Sequence, residues 1–179
     1  MPRCKYCKNK FEVKHFNRKF CYEYECIDKA TKDILKTSKS VKAKEWKQRK
    51  AKKKESLKTN RDWINDTQKV VNKYIRERDK GNNCISCGKI INGVRHASHY
   101  MSAGHNTSVR FNTDNIWVSC YKCNVMLAGN LREYRVRLID KIGIERVEAV
   151  ESAAKETKRY TVDELKEIIK LFKQMTKEL

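Results

Sequence analysis

Apolar residues are unevenly distributed along the chain, and their spacing changes character several times. Trp63, Ile64, Val70, Val71, Tyr74 and Ile75 recur at helical spacing. Thr59-Asn-Arg-Asp62 can cap that helix, and Lys80-Gly81 ends it. From 84 to 119 the pattern breaks into short strands and turns. These are Cys84-Ile-Ser-Cys-Gly88, then Val94–Tyr100, then a loop rich in Gly, Asn, Thr and Ser. A helix is predicted to begin near Cys120 or Tyr121 and to end before Gly129. Leu131–Ile142 reads as a further helix stopped by Gly143, and Glu145–Ala154 as another. Thr161-Val-Asp-Glu164 is a capping box for a last amphipathic helix carrying Leu165, Ile168, Ile169, Phe172 and Met175.

Before residue 62 the apolar pattern thins. Residues 29–61 contain neither Gly nor Pro, and their large apolar residues after Leu35 are Val41, Trp46 and Leu57. Lys, Ala, Arg, Gln and Glu are good helix formers, so a solvated helix or a partly disordered tether is expected. Three stretches follow: a cysteine-bearing N-terminal module at 1–28, a basic helical linker at 29–61, and a domain at 62–179. The predicted fold class is α+β and mainly helical.

Charge sharpens this picture. The 179 residues carry a net charge of +20 and are only 39% hydrophobic, which argues against one large core. The linker alone holds 14 Lys/Arg against Asp33, Glu45 and Glu55, a net +11. Such a chain suits a polyanion, through phosphate contacts and counterion release. Lys50, Lys52, Lys53 and Lys54 are the densest candidates for DNA binding. A charge run can equally be a solvated face. An anionic membrane surface is the rival partner. No apolar run reaches the roughly 18 residues of a membrane span, so no membrane association is expected. The charged, cysteine-bearing N-terminus shows no signal peptide, which points to the cytoplasm, the host's if the gene is a phage's.

Eight cysteines without an export signal suggest a reducing compartment, where close Cys pairs mean metal more often than disulfide. Cys84-Ile-Ser-Cys87 and Cys120-Tyr-Lys-Cys123 make a CxxC…CxxC set able to complete a tetrahedral Zn²⁺ shell. A four-thiolate site of this kind is structural, because it leaves no coordination position for water. Gly88 permits the tight turn. Cys4, Cys7, Cys21 and Cys26 form a looser second set, with Phe11, Phe16 and Phe20 expected to pack around its ion. His15 is an alternative ligand there.

Between the knuckles of the CxxC…CxxC set lies Arg95-His-Ala-Ser-His-Tyr100, followed by Arg110-Phe-Asn-Thr-Asp-Asn-Ile-Trp117. Asn124 comes directly after Cys123. A strand histidine, an Asn before the second knuckle and an Asn after its last Cys stand in the HNH order. The sequence resembles HNH nucleases that carry a zinc ribbon, whose core is a ββα-metal finger. More closely, it resembles the lambdoid phage NinG/Rap recombination family. The likeness rests on Ile75-Arg-Glu-Arg-Asp79, Cys84-Ile-Ser-Cys-Gly88, Ser98-His-Tyr100, Arg110-Phe-Asn112, Asp114-Asn-Ile116, Cys123-Asn124 and Gly129-Asn-Leu131. It extends through Tyr134-Arg-Val136 and Arg146–Glu151, and covers about 61–160. The resemblance implies a structure-specific endonuclease acting on Holliday junctions and D-loops in phage recombination. Homodimers and other recombination proteins become candidate partners.

On that resemblance His99 is the expected general base and Asn115 the residue that orients its imidazole. Asn124 would hold a catalytic Mg²⁺ or Mn²⁺, with His96 as a further ligand. Arg95 and Arg110 are candidate phosphate clamps. HNH sites often place an acid just before the base, yet no Asp or Glu lies between Asp79 and Asp114. His96 could take that place only across a bulge, since strand residues three apart face opposite sides. His105 is a weaker candidate. Each assignment has a plainer alternative: His99 a packed histidine, Asn115 a turn residue, Asn124 a helix residue or cap. For the whole chain the alternative is a non-catalytic zinc-stapled DNA-binding accessory protein, and a weaker one is an HNH nicking enzyme without branch preference.

Overall fold

The computed structural model describes residues 1–179, which divide into two compact units, Met1–Leu57 and Lys58–Leu179. In the first unit a short cysteine-bearing hairpin precedes one long helix. Cys4, Phe11, Cys21 and Cys26 form its core, with Tyr6 and Phe20 packed against them. Phe16, expected in that core, is 95% exposed and lies outside it. Helix α1 spans Tyr24–Ser56. It begins before the basic run, so Cys26 sits in its first turn. Only Cys26 and Ala30 are buried along it. At about 1.5 Å per residue it is an exposed rod of roughly 50 Å. Asp33 on α1 accepts a 2.7 Å hydrogen bond from the Tyr6 hydroxyl and pairs with Lys5, which ties the hairpin to the rod.

The second unit is built around a two-stranded antiparallel hairpin, β1 (His96–His99) and β2 (Ile116–Ser119). The register runs from His96↔Ser119 to His99↔Ile116 without a bulge. Helix α2 (Asn60–Arg78) starts at a capping box between Thr59 and Asp62. Helix α5 (Val162–Lys177) starts at an equivalent box between Thr161 and Glu164 and packs along α2. Between them in sequence come α3 (Leu131–Ile142) and α4 (Ile144–Ala153).

Alternation along the strands sorts the core into two layers. Ala97, Ile116 and Val118 join Val71 and Ile75 of α2 and Leu165 and Phe172 of α5. Trp117 turns the other way, toward Tyr134 and Leu138 of α3 and Val147 and Val150 of α4. The hairpin is thus a thin sheet buried on both faces. The molecule is mainly helical with a small sheet, an α+β fold.

Two local expectations need correction. The strand is four residues long rather than the seven of Val94–Tyr100. The α-helix expected from 120 to 128 is instead a single π-type turn, Lys122–Met126. Its closing bond runs from Leu127 N to Lys122 O, at 3.0 Å. Gly129, with φ +94°, then sends its N–H back to Cys123 O. Ala128, Gly129 and Asn130, all with positive φ, then turn the chain away before a regular helix can build.

Candidate functional site

The two knuckles are built alike. Cys84 N donates to Lys89 O (2.9 Å) and Gly88 N to Cys84 O (2.8 Å). Cys4 N donates to Asn9 O (2.8 Å) and Lys8 N to Cys4 O (3.1 Å). In both, the residue after the second Cys has positive φ: Gly88 at +71° and Lys8 at +64°. Each hairpin aims two sulfurs at one point. Two more arrive from Cys120 and Cys123, or from Cys21 and Cys26, so that within each tetrad all sulfurs lie within 4.8 Å of one another.

These tetrads fit zinc. A tetrahedron with Zn–S bonds of about 2.3 Å has S···S edges of about 3.8 Å. Cys7 and Cys21 sulfurs are 3.7 Å apart, and those of Cys87 and Cys120 are 4.0 Å apart. Backbone N–H groups already point at sulfur: Cys120 N to Cys84 Sγ and Cys21 N to Cys4 Sγ, both at 3.3 Å. Burial alone would raise the Cys84 thiol, but N–H groups of Cys120, Cys87 and Ser86 bring it down to about 7. Cys4 is brought down to about 6 in the same way. Burial pushes Cys26 up to about 12, reinforced by its neighbouring thiols. Four thiolates this close repel one another unless a cation sits among them, so either tetrad could hold a zinc ion.

His99, at the end of β1, is half-buried. Its Nε2 lies 3.0 Å from the carbonyl of Arg110. A carbonyl can only accept, so in the neutral ring Nε2 carries the hydrogen and Nδ1 keeps a lone pair. Burial holds the imidazole below the usual histidine range, partly offset by the Arg110 carbonyl and reinforced by the Arg110 guanidinium. At neutral pH it is an uncharged base.

Asn115 does not orient this ring. It is fully buried, and its Oδ1 accepts from Met101 N at 2.7 Å. Its Nδ2 donates to Met101 O and Val109 O, both at 3.0 Å. The side chain is fully used in pinning the loop between the strands, so the expected Asn115–His99 bond is replaced by the Arg110 carbonyl.

His96 does not join His99 either. With no bulge in β1 the two imidazoles face opposite sides of the hairpin, and His96 sits beside the Tyr121 ring, centroids 5.8 Å apart. Asn124 lies within the π turn, partly exposed, its N–H bonded to Cys120 O. Arg95 donates to Asn82 O and Arg110 to Ala103 O. Each guanidinium has five N–H donors, so each keeps donors for a phosphate. His105 is exposed in the pinned loop, and His15 lies outside the N-terminal tetrad. Lys50, Lys52, Lys53 and Lys54 are exposed near the end of α1.

One device escaped the sequence reading. Asp79, 1% exposed, accepts from Val118 N at 3.1 Å and from Arg78 at 2.7 and 2.9 Å. Arg78 also donates to Thr113 O and Ile116 O and lies 4.1 Å from the centre of the Trp117 ring. An acid at a helix C-terminus opposes the helix dipole, and that misplacement was the available signal.

A family model described as "NinG: Bacteriophage Lambda NinG protein" matches residues 1–179. The chain belongs to the NinG family. Protein ninG of Escherichia phage lambda is 40% identical over 124 residues, covering 69% of this chain and 60% of that protein. Protein ninG of Salmonella phage P22 is also 40% identical over 124 residues, covering 69% and 61%. The match therefore spans about three-fifths of the length of these NinG relatives. No solved structure matches the chain. No helix is long and apolar enough to cross a membrane.

Proposed function

We propose that this NinG-family chain is a metal-dependent DNA endonuclease of the HNH type that hydrolyses phosphodiesters in branched recombination intermediates. One observation carries the reading. His99 is held by the Arg110 carbonyl in the tautomer that leaves Nδ1 as a neutral base, on a hairpin flanked by the Cys84–Cys123 tetrad in a chain of net charge +20. In this reading Nδ1 takes a proton from water, the oxygen attacks phosphorus, and the bond to the 3′ oxygen breaks. A divalent ion such as Mg²⁺ or Mn²⁺ would supply charge neutralisation at the developing phosphorane. Asn124 offers its amide oxygen for that ion. The cysteine tetrads are the only clusters of three or more ionisable ligand groups, so substrate phosphate would be a major ligand. Arg95 and Arg110 clamp the flanking phosphates. Asn115 acts at a distance, by fixing the loop that delivers the Arg110 carbonyl. The reading requires His99 and Asn124 to flank a single phosphate in the complex with DNA.

The test is cleavage of labelled four-way, D-loop and linear duplex DNA with Mg²⁺ or Mn²⁺. His99→Ala keeps zinc and DNA binding and loses cleavage by roughly 10²- to 10⁴-fold, the usual contribution of a general base. Cutting by that variant at the wild-type rate would remove the mechanism. Binding without cleavage of any substrate by the wild type would leave the second reading, a zinc-stapled DNA-binding accessory protein, which the charge and cysteines alone support.

A further inference from the structure

The π turn that carries Asn124 displays a set of largely exposed apolar side chains. Tyr121, Val125, Met126 and Leu127 are 58%, 50%, 68% and 47% exposed. Exposed apolar residues are ordinary when scattered, but four on one short turn are a patch that needs an explanation. The turn is held rigidly. Leu127 N bonds to Lys122 O, Gly129 N to Cys123 O, and Asn130 N to Leu127 O. The Ser86 hydroxyl donates to Gly129 O at 2.9 Å, locking the turn to the Cys84–Gly88 knuckle. Ala128 takes φ of +46°, which is strained for a residue other than glycine or asparagine. Strain of this kind persists where the surrounding structure imposes it, and it concentrates at sites that bind or switch.

The electrostatics around the patch choose its partner. A groove of about 410 Å³ beneath the turn is lined by Lys89 and Lys122, the asparagines 92 and 130, apolar residues and cysteines, with no carboxylate. From Lys80 to Leu131 the sequence contains a single acid, Asp114, and Arg146 pairs with it. An apolar tip in a basic, acid-free frame matches a surface of flat apolar rings bordered by phosphates. Linear duplex DNA hides its base faces inside the stack. A branch point interrupts the stack and exposes them, and apolar or aromatic side chains bind such faces.

We propose that the Tyr121–Leu127 turn is a wedge that stacks on the exposed base faces at a DNA branch point. This rests on the nuclease reading above and supplies it with a source of branch preference. Because Asn124 belongs to the same turn, a branch seated on the wedge brings its nearest phosphates to the candidate ion ligand. Cleavage then falls beside the junction. Tyr121, its ring steadied by His96, is the principal stacking residue, and Met126 adapts to whichever base it meets.

The test uses the full chain with zinc bound and no added divalent ion, and compares a four-way junction with a linear duplex of matched sequence. Tyr121→Ala combined with Met126→Ala lowers junction affinity by roughly 5- to 100-fold, the effect of losing a base–aromatic stack. Affinity for linear duplex, zinc content and urea midpoint stay at wild-type values, and Tyr121→Phe keeps junction affinity. A 2-aminopurine base at the branch changes fluorescence on binding wild type and not on binding the double variant. Equal losses on both DNAs overturn the wedge, as does an unchanged junction preference. So does a shift from dimer to monomer with preference intact, which would make the patch an interface between copies. Wild type that binds both DNAs equally sinks the wedge and leaves the nuclease reading standing. Wild type that binds neither sinks both.

Discussion

The carbonyl of Arg110 fixes which nitrogen of His99 is a base, and the burial that comes with it fixes when. Its folded value lies below that of the unfolded chain, so protonation is disfavoured in the folded protein. The base form therefore persists as pH falls through about 6.5, the ordinary histidine value. Single-turnover cleavage should lose rate on the acid side with a midpoint below that value, and a midpoint at or above it would contradict the burial argument. Stability follows the same sign: the unfolded chain takes up the proton first, so folding weakens as pH drops past its value. As a candidate, His99 was legible in the sequence, because its position relative to the cysteines is a local pattern. The job of Asn115 was not. It depends on amide and carbonyl groups of Met101 and Val109, which only the folded loop brings to it.

Among elements, the helices were the legible part. Both capping boxes and the Gly143 stop are signals contained within a few residues, and α2, α3 and α5 form where the periodicity put them. The hairpin and the π turn were harder. The strands are buried on both faces and the turn is tied to Ser86, more than forty residues earlier, which no local window carries. The Arg78–Asp79 pair joins the end of α2 to β2 and shows what such a window misses. Asp79→Ala leaves a largely buried guanidinium and the Val118 N–H short of a partner, so it should cost about 3–5 kcal/mol in urea unfolding. The Arg146–Asp114 pair also bridges distant segments, but its arginine side chain is 58% exposed. Arg146→Ala should therefore cost under about 1 kcal/mol. Equal costs would mean that burial is not what separates the two pairs.

For the whole molecule, charge was legible from the sequence and its placement was not. The exposed rod of α1 carries most of the linker's lysines, so it should act as a sequence-blind phosphate contact. Replacing Lys50, Lys52, Lys53 and Lys54 with Gln should weaken binding to all DNAs alike. It should also flatten the salt dependence by roughly 0.9 log units per lost duplex contact. An unchanged slope would take that segment out of the interface. The two knuckles, one in each compact unit, share a backbone conformation yet differ in what they ask of a substitution. At position 8 the left-handed residue is an exposed lysine, so any side chain that accepts that backbone can stand there, and glycine or asparagine would fit with less strain. At position 88 the Arg137 guanidinium lies within 2.5–2.7 Å of where a β-carbon would stand, so only hydrogen fits unless that arginine moves. A side chain at position 88 must therefore do two things, take the left-handed backbone that both knuckles share and swing the exposed Arg137 aside, whereas one at position 8 need do only the first.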